Sequence, residues 1–278
     1  MTSRFITLSG VRVHYLCAGE GPPLILLHGT ALDSARLSYA QLIPQLAQRF
    51  TVIALDWPGY GESDKPQLEY SMDFYHTVLS EFIEHLGFGS FVLAAFSMGG
   101  GVALKFALEH HERVSKLILI NSYALGGAVH LPFAPCLALR LPGVADFIWR
   151  HLGDNRLFLS LCLKYLVLGN AHRATPELID DVKAQLSVEG LQFAFMTWLR
   201  RELGSVKLAT NHRHKLRELQ VPTLLIHGSR DLIIPAYRSR RAAKLIPNAE
   251  LCILKGYGHW TPREAPTEVL GAMLKFLT

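Results

Sequence analysis

Residues 91–99 have the sequence Phe-Val-Leu-Ala-Ala-Phe-Ser-Met-Gly, in which an apolar run leads into a serine flanked by small residues. The apolar run predicts a strand buried on both faces. Ala95 and Gly99, two positions before and after Ser97, are small enough to let a strand and the following helix approach closely, which holds the central residue in a strained turn. The stretch therefore predicts a strand-to-helix elbow with Ser97 as a candidate nucleophile, although the usual pattern has glycine where this chain has Ala95.

Strand and helix patterns alternate on both sides of this elbow. Short apolar runs predict strands at 11–16, 23–27, 52–55, 91–95, 117–120, 223–226 and 250–254. Helical spacing predicts helices at 34–49, 71–86, 98–109, 236–245 and 262–277. This alternation is typical of an α/β protein that has a mostly parallel central sheet flanked by helices.

The alternation stops after Asn121 and resumes only at Thr223. The intervening segment is too long to be a structureless connection in a compact domain, so it should contain its own helices. Its turn signals predict about four or five of them. We therefore expect an α/β core formed by residues 1–122 and 214–278, with an inserted helical lid formed by residues 123–213.

The composition indicates a globular protein and gives little support for a nucleic-acid partner. Hydrophobic residues make up 50% of the 278 residues and charged residues 18%, which is far from the composition of disordered chains. The formal net charge of +5 is modest, and basic residues are scattered except at 212–217 and 238–241. We expect no nucleic-acid partner, and the sequence leaves the oligomeric state open.

Several other classes of function lack their sequence signals. The four cysteines are far apart and form no C-x-x-C pair, which favours small buried side chains over a metal site. Neither H-E-x-x-H spacing nor a G-x-G-x-x-G after the first strand is present, so we expect no metal and no cofactor. Residues 1–10 contain no long apolar run, and the apolar segment 157–168 is too short to span a bilayer. We expect a cytoplasmic protein without an integral membrane segment.

Polar residues follow several of the predicted strands, at the carboxyl ends where open α/β sheets bind ligands. Ser97, Asp231 and His259 each follow a different strand, as does the loop 28–30. A serine hydroxyl is a weak nucleophile that needs a base within hydrogen-bond reach, and the base needs a carboxylate to hold its tautomer. We therefore expect Ser97 to be the nucleophile, His259 the base and Asp231 the acid that orients the base.

Other residues compete for these roles. Asp56 also ends a predicted strand, but the Trp-Pro-Gly-Tyr-Gly turn after it favours bracing of a loop. The strand before the lid ends in Asn121, whose amide cannot stabilise an imidazolium as a charge would. His28 and His227 lie beside glycines at strand ends and are more typical of hydrogen-bonded scaffold than of bases.

Together, these motifs resemble those of α/β-hydrolase-fold serine hydrolases that have a helical lid and are of the carboxylesterase type. The resemblance covers nearly the whole chain, and it includes the order Ser, Asp, His along the chain. Besides the elbow, the matching segments are 28–29, 56–63, 228–231 and 258–260. The resemblance implies that the backbone N–H groups of Thr30 and Met98 form an oxyanion hole, which binds the negative charge of a tetrahedral intermediate.

The resemblance also favours acyl transfer over other chemistries of the superfamily. Haloalkane dehalogenases and epoxide hydrolases have an aspartate at the position of Ser97, so these activities are disfavoured. We expect hydrolysis of small-molecule carboxylic esters, uncharged and of short to medium chain, in a pocket lined by Phe96, Leu232 and Trp260. Apolar residues of the lid should cover part of this pocket. They are Leu131, Phe133, Leu137, Phe147, Trp149, Phe158, Leu161 and Tyr165.

Three alternatives stay open. The sequence around Ser97 and His259 also resembles carbon–carbon bond hydrolases of the meta-cleavage-product type, which usually have Asn where this chain has Phe96. Those enzymes use a lid arginine to hold a carboxylate, and Arg200 or Arg201 is a candidate. Perhydrolases and lactonases are the second alternative. The third is a receptor-like protein of the same fold that binds a ligand and turns it over slowly.

Overall fold

The computed structural model describes residues 1–126, 141, 143–203 and 208–278. Within these residues, eight strands form one sheet. They are β1 (Thr2–Leu8), β2 (Val11–Ala18), β3 (Pro23–Leu27), β4 (Thr51–Leu55), β5 (Phe91–Phe96), β6 (Val114–Ile120), β7 (Thr223–Gly228) and β8 (Ala249–Leu254). Their order in space is β1-β2-β4-β3-β5-β6-β7-β8, and all pairs are parallel except β1 with β2 and β2 with β4.

The predicted fold class, an α/β protein with a mostly parallel central sheet, is confirmed, and each predicted strand lies within an observed one. β5, at the middle of the sheet, is buried along its whole length, as its continuous apolar sequence predicts. The sequence patterning did not reveal β1. This edge strand is mostly exposed and pairs only with β2, so it has neither a continuous apolar run nor a regular buried face.

Helices connect most of the strands and also follow the last one. In chain order they are α1 (Ala35–Tyr39), α2 (Ile43–Leu46), α3 (Met72–Leu86), α4 (Met98–Glu109), α5 (Val144–Asp154), α6 (Arg156–Cys162), α7 (Pro176–Leu186), α8 (Leu191–Glu202), α9 (Tyr237–Ala242), α10 (Thr261–Glu264) and α11 (Pro266–Leu277). A π-helical turn spans Leu163–Val167, and short 3₁₀ helices span Ala171–Arg173 and Arg213–Glu218. Among the helices described, none is both long and apolar enough to cross a membrane.

Two of the predicted helices are each split in two. The helix expected at 34–49 is α1 followed by α2, and Pro44 lies in the first turn of α2. The helix expected at 262–277 is α10 followed by α11, and Pro266 begins α11. Proline has no amide hydrogen and is tolerated only in the first turn of a helix, so each proline starts a new helix.

The segment between β6 and β7 contains α5 to α8, together with the π-helical turn. Of the apolar side chains expected to cover a pocket, Trp149 is buried, whereas Phe147, Phe158, Leu161 and Tyr165 are exposed. The other three, Leu131, Phe133 and Leu137, lie outside the described residues. Cys17, Cys162 and Cys252 are free thiols, and Cys136 also lies outside the described residues.

Candidate active site

Ser97 lies on a strained turn between β5 and α4. Its φ of 51° and ψ of −118° are outside the regions that most residues adopt. Its amide donates to Ile120 O at 3.0 Å. Gly99 leaves no room for a side chain, because a Cβ there would lie 2.5 Å from the carbonyl oxygen of His28. The backbone at residues 91–99 therefore has the elbow shape that its small residues predict.

The structure brings Ser97, His259 and Asp231 together in one row of hydrogen bonds. His259 Nε2 lies 3.0 Å from Ser97 Oγ, and His259 Nδ1 lies 2.8 Å from Asp231 Oδ2. All three side chains are buried, and they follow β5, β7 and β8 at the same edge of the sheet. Because Nδ1 faces a carboxylate, it carries the ring proton and leaves Nε2 to accept a proton from Ser97.

Backbone and side-chain donors hold the Asp231 carboxylate in place. Oδ1 accepts hydrogen bonds from the amides of Ile233 at 2.9 Å and Ile234 at 2.8 Å. Oδ2 accepts a third from Asn121 Nδ2 at 2.7 Å. Asn121 is itself fixed by Thr261, whose hydroxyl donates to Asn121 Oδ1 at 2.6 Å. Asn121, whose amide cannot serve as the acid, instead orients Asp231.

Two histidines keep Asp231 ionised. Burial alone would raise the pKa of Asp231, but the charge interaction with His259 and the hydrogen bonds from His227 and His259 outweigh it, so the pKa is lowered. His227 Nε2 lies 3.1 Å from Asp231 Oδ2 and 2.7 Å from Ile234 O, which makes this histidine part of the scaffold around the acid. An ionised Asp231 is the form that stabilises a protonated His259.

The loop after β3 and the start of α4 both reach Ser97. Met98 is the first residue of α4, so its amide has no acceptor within the helix. Thr30 lines the same cavity as Ser97, and its Oγ1 lies 2.6 Å from Tyr60 Oη. Burial raises the pKa of Tyr60 to about 12, which keeps this phenol neutral. The side chain of Tyr60 therefore holds Thr30 in place through a hydrogen bond between neutral hydroxyl groups.

A buried carboxylate, Asp33, holds the loop that contains Thr30. Its Oδ2 accepts from the amide of Gly29 at 2.7 Å, and its Oδ1 accepts from the amide of Ser34 at 2.8 Å and the hydroxyl of Ser38 at 2.7 Å. Burial nevertheless raises the pKa of Asp33. The sequence patterns do not single out Asp33 as a functional residue. The only signal available was an acidic residue a few positions after a predicted strand end.

A cavity of about 220 Å³ opens beside Ser97 and His259. Phe96 and Trp260 line it, as expected. Its other lining residues are Thr30, Ala31, Leu32, Asp33, Tyr123, Val167, Phe195, Trp198, Leu199, Glu202, Leu203, Leu208, Ile233, Ile234 and Arg238. Most of these side chains are apolar, so the cavity favours apolar parts of a ligand.

The expectation that Leu232 lines this cavity is wrong. Leu232 is 44% exposed, and its neighbours Ile233 and Ile234 line the cavity instead. The turn that brings the amides of Ile233 and Ile234 onto Asp231 leaves the Leu232 side chain at the surface.

The prediction of which apolar residues of this segment cover the cavity is also wrong for the described residues. Within the part of the chain that the structure describes, the segment between β6 and β7 contributes Val167 and residues of α8 and its C-terminal side to the cavity. None of the described residues expected for this purpose, such as Phe147 and Tyr165, lines it. Their apolar character alone could not show which face of the segment is turned toward Ser97.

Arg200 and Arg201, the candidates for binding a substrate carboxylate, lie outside the cavity. Arg201 forms an ion pair with Glu69 at the surface, and Arg200 lines a separate groove. Arg238 is the arginine that lines the cavity, and its Nη1 donates to Gly126 O at 3.3 Å. Among the described residues, no group of three His, Cys, Asp or Glu side chains is arranged to hold a metal ion.

Asp56, the competing acid, belongs to a second row of hydrogen bonds. Its Oδ2 lies 2.7 Å from His14 Nδ1, and His14 Nε2 lies 2.5 Å from Ser3 Oγ. Asp56 Oδ1 accepts from the amide of Ala35 at 2.7 Å, and Oδ2 accepts from the amide of Glu62 at 3.0 Å. These bonds tie Asp56 to the loop that follows it and to α1, as the bracing interpretation predicts.

Hydrolases built on an α/β sheet combine three features that are present here. They have a serine in a strained turn, a row of hydrogen bonds at the carboxyl edge of a parallel sheet, and a cavity beside that row. A sequence model described as the alpha/beta hydrolase fold matches residues 22–266. The chain therefore belongs to the α/β-hydrolase fold family.

Relatives of this chain catalyse different reactions. It is 28% identical over 280 residues to a 2-hydroxy-6-oxo-6-(2'-aminophenyl)hexa-2,4-dienoic acid hydrolase of Metapseudomonas resinovorans, covering 99% of this chain and 90% of that protein. It is 27% identical to a soluble epoxide hydrolase of Corynebacterium sp. strain C12, covering 97% and 94%. Its structure is similar to a thermophilic esterase from Thermogutta terrifontis, with a TM-score of 0.79 and 26% identity over 100% and 98% of the two chains.

Proposed function

We propose that this protein is a serine hydrolase that cleaves carboxylic esters through Ser97, His259 and Asp231. The observation that carries the proposal is the continuous row from Ser97 Oγ through the imidazole of His259 to Asp231, at distances of 3.0 and 2.8 Å. This row ends on a serine that lies in a strained elbow and lines a cavity. A serine in this arrangement is a nucleophile, because a base within hydrogen-bond reach can remove its proton.

The reaction would proceed in two steps. Ser97 Oγ attacks the ester carbonyl carbon while its proton moves to His259 Nε2, and the ionised Asp231 stabilises the resulting imidazolium. The backbone N–H groups of Thr30 and Met98 would bind the oxyanion of the tetrahedral intermediate. His259 then gives the proton to the leaving alcohol. Water attacks the acyl-enzyme with His259 again as base, which releases the acid and restores Ser97.

The cavity supports a substrate that is uncharged and mostly apolar. Its lining is dominated by apolar side chains, and its volume of about 220 Å³ suits a short to medium chain. We propose that the helices within residues 123–213 act as a lid over the core formed by 1–122 and 214–278, because Val167, Trp198 and their neighbours close the cavity from that side.

The test is hydrolysis of a panel of esters by the wild-type protein and by Ser97→Ala. The panel contains p-nitrophenyl butyrate, a matched ester with a charged acyl group, a lactone and a dienoate. We expect fastest turnover of the uncharged ester and loss of at least about 10³-fold in kcat for Ser97→Ala. Esterase activity retained in Ser97→Ala would contradict the mechanism, and faster turnover of the charged ester would contradict the substrate class.

A second candidate is hydrolysis of a carbon–carbon bond in a dienoic acid. It is favoured by the similarity, over nearly all of this chain, to a dienoic acid hydrolase, and Arg238 lines the cavity where a carboxylate could meet it. Phe96 occupies the position before the nucleophile, where enzymes of this type usually have Asn. Turnover of the dienoate in the panel, with little turnover of the esters, would favour this candidate over ester hydrolysis.

A further inference from the structure

One end of the cavity beside Ser97 carries polar side chains. Tyr123, Glu202 and Arg238 line it, and they are only 6%, 4% and 4% exposed. A carboxylate and a guanidinium are costly to bury, and most of the other residues that line the cavity are apolar. We call Tyr123, Glu202 and Arg238 the polar end of the cavity. None of the three has a part in the mechanism proposed above.

Within the described residues, three hydrogen bonds hold the Glu202 carboxylate. Oε2 accepts from Tyr123 Oη at 2.8 Å and from the amide of Thr210 at 3.0 Å, and Oε1 accepts from Thr210 Oγ1 at 3.0 Å. A carboxylate offers about four acceptor positions, so these three leave Oε1 able to accept one more. Burial, followed by the Glu202 charge and hydrogen bond, raises the pKa of Tyr123 well above its usual value, so Tyr123 stays a donor to Glu202.

The polar end is linked rigidly to Ser97. The amide of Tyr123 donates to Ser97 O at 2.9 Å, while the hydroxyl of the same residue reaches Glu202. Trp198 packs edge-on against the Tyr123 ring, with the ring centroids 5.8 Å apart. One tyrosine therefore connects the backbone of the nucleophile to the polar end, on the wall of the cavity that Ser97 also lines.

We propose that the polar end binds a neutral hydroxyl group at the far end of the acyl chain, an inference that rests on the ester hydrolysis proposed above. Glu202 Oε1 accepts a hydrogen bond from the hydroxyl group, at an end of the cavity that Arg238 also lines. A group that carries a charge would be attracted by one of Glu202 and Arg238 and repelled by the other, whereas a neutral hydroxyl group meets no such repulsion. The preferred substrates are ω-hydroxyacyl esters.

The experiment measures kcat/KM for p-nitrophenyl esters of ω-hydroxyacyl groups from butanoyl to octanoyl, each paired with the unsubstituted acyl ester. Wild-type protein should prefer the hydroxylated ester by about tenfold at one chain length, the order expected of a hydrogen bond to a charged group. Glu202→Gln keeps the shape and removes the charge, so the preference should fall to about threefold or less. Glu189→Gln, which changes an exposed acid outside the cavity, should keep the full preference.

The outcomes separate this inference from the proposed function. Ester hydrolysis that depends on Ser97 but shows no hydroxyl preference at any chain length would overturn the inference alone, and this comparison needs only wild-type protein. A carboxyl-terminated acyl ester that is turned over faster than its hydroxylated counterpart would also overturn it. Absence of Ser97-dependent hydrolysis of every ester would overturn the inference together with the proposed function.

Discussion

Two regions of this molecule contain a serine, a histidine and an aspartate in a row. At one, His259 lies between Ser97 and Asp231, with distances of 3.0 and 2.8 Å. At the other, His14 lies between Ser3 and Asp56, with distances of 2.5 and 2.7 Å. Both aspartates are buried, and hydrogen bonds and charge interactions with histidine outweigh burial and lower the pKa of each. All four contacts lie within hydrogen-bond distance, so the presence of such a row does not by itself separate the two regions.

The surroundings of the two serines differ. Ser97 has a positive φ, begins the turn into α4 and lines the cavity. Ser3 is an exposed residue of β1, where it pairs regularly with Leu16 across the hairpin, and it lines neither of the two pockets described in this part of the chain. A row of hydrogen bonds is therefore insufficient to define an active site. A strained elbow and a cavity distinguish the Ser97 site.

The largest expected effect comes from changing the acid at the Ser97 site. Asp231→Asn keeps the size of the side chain but removes the charge that stabilises a protonated His259, so kcat for ester hydrolysis should fall by about 10⁴-fold. The matched change in the other row, Asp56→Asn, should leave kcat of the folded protein within about threefold of wild type. Steady-state kinetics at neutral pH measures both. Equal losses of kcat in the two variants would show that the two rows do not differ in function.

Asp56→Asn should instead affect stability. The carboxylate of Asp56 binds His14 and the amides of Ala35 and Glu62, and Asp56, His14 and Ala35 are buried. Loss of the charge should lower the free energy of unfolding by about 3 kcal/mol, as for removal of one partner of a buried pair. Urea denaturation checks this value. A loss below about 0.5 kcal/mol would rule out the bracing role.

Tyr60→Phe tests whether the loop around Thr30 needs its side-chain support. The variant loses the hydroxyl that lies 2.6 Å from Thr30 Oγ1. We expect kcat to fall by about tenfold with little change in KM, because an oxyanion donor that is displaced costs less than the 10²–10³-fold of one that is removed. Kinetics with p-nitrophenyl butyrate measures the two parameters separately. A change confined to KM would place Tyr60 in substrate binding instead.

Asp33→Asn should change the pH dependence of stability in a predictable direction. The folded-state pKa of Asp33 is raised by burial, so the native protein binds more protons than the unfolded chain above the unfolded pKa of about 3.9. Stability contributed by protonated Asp33 is therefore lost as pH rises from that value through the folded pKa. The variant should lack this fall. Thermal unfolding of both proteins across the acidic range checks it, and an equally steep fall in the variant would contradict the assignment.

The smallest effect is expected for Ser3→Ala. Ser3 is exposed on an edge strand, and its hydroxyl contributes only a hydrogen bond to His14. We expect kcat/KM within about twofold of wild type and a change in the free energy of unfolding of about 0.5 kcal/mol or less. A large loss of esterase activity in this variant would instead indicate that Ser3 takes part in the reaction.

The sequence was sufficient to predict every strand of the described sheet except β1, and the positions of Ser97, Asp231 and His259. Continuous apolar runs mark the buried strands, and polar residues that follow parallel strands meet at the same edge. β1 was missed because an exposed edge strand has no such pattern. The row that contains Ser3 was missed for the same reason, since its serine lies on that strand.

Details that depend on side-chain direction could not be predicted. Leu232 and Ile233 are equally apolar and adjacent, but only Ile233 lines the cavity. The polar end of the cavity joins Tyr123 after β6 with Glu202 at the end of α8 and Arg238 in α9, which no local pattern connects. The buried Asp33 is likewise recognised only when its donors from the neighbouring loop are seen.

The central claim is that Ser97, and not Ser3, is the reactive serine. The most direct measurement is reaction of the wild-type protein with a fluorophosphonate, followed by mass spectrometry of its peptides. We predict one adduct per chain, on the peptide that contains Ser97, and no adduct in Ser97→Ala. An adduct on the peptide that contains Ser3, or an unmodified Ser97 in folded protein, would contradict the account.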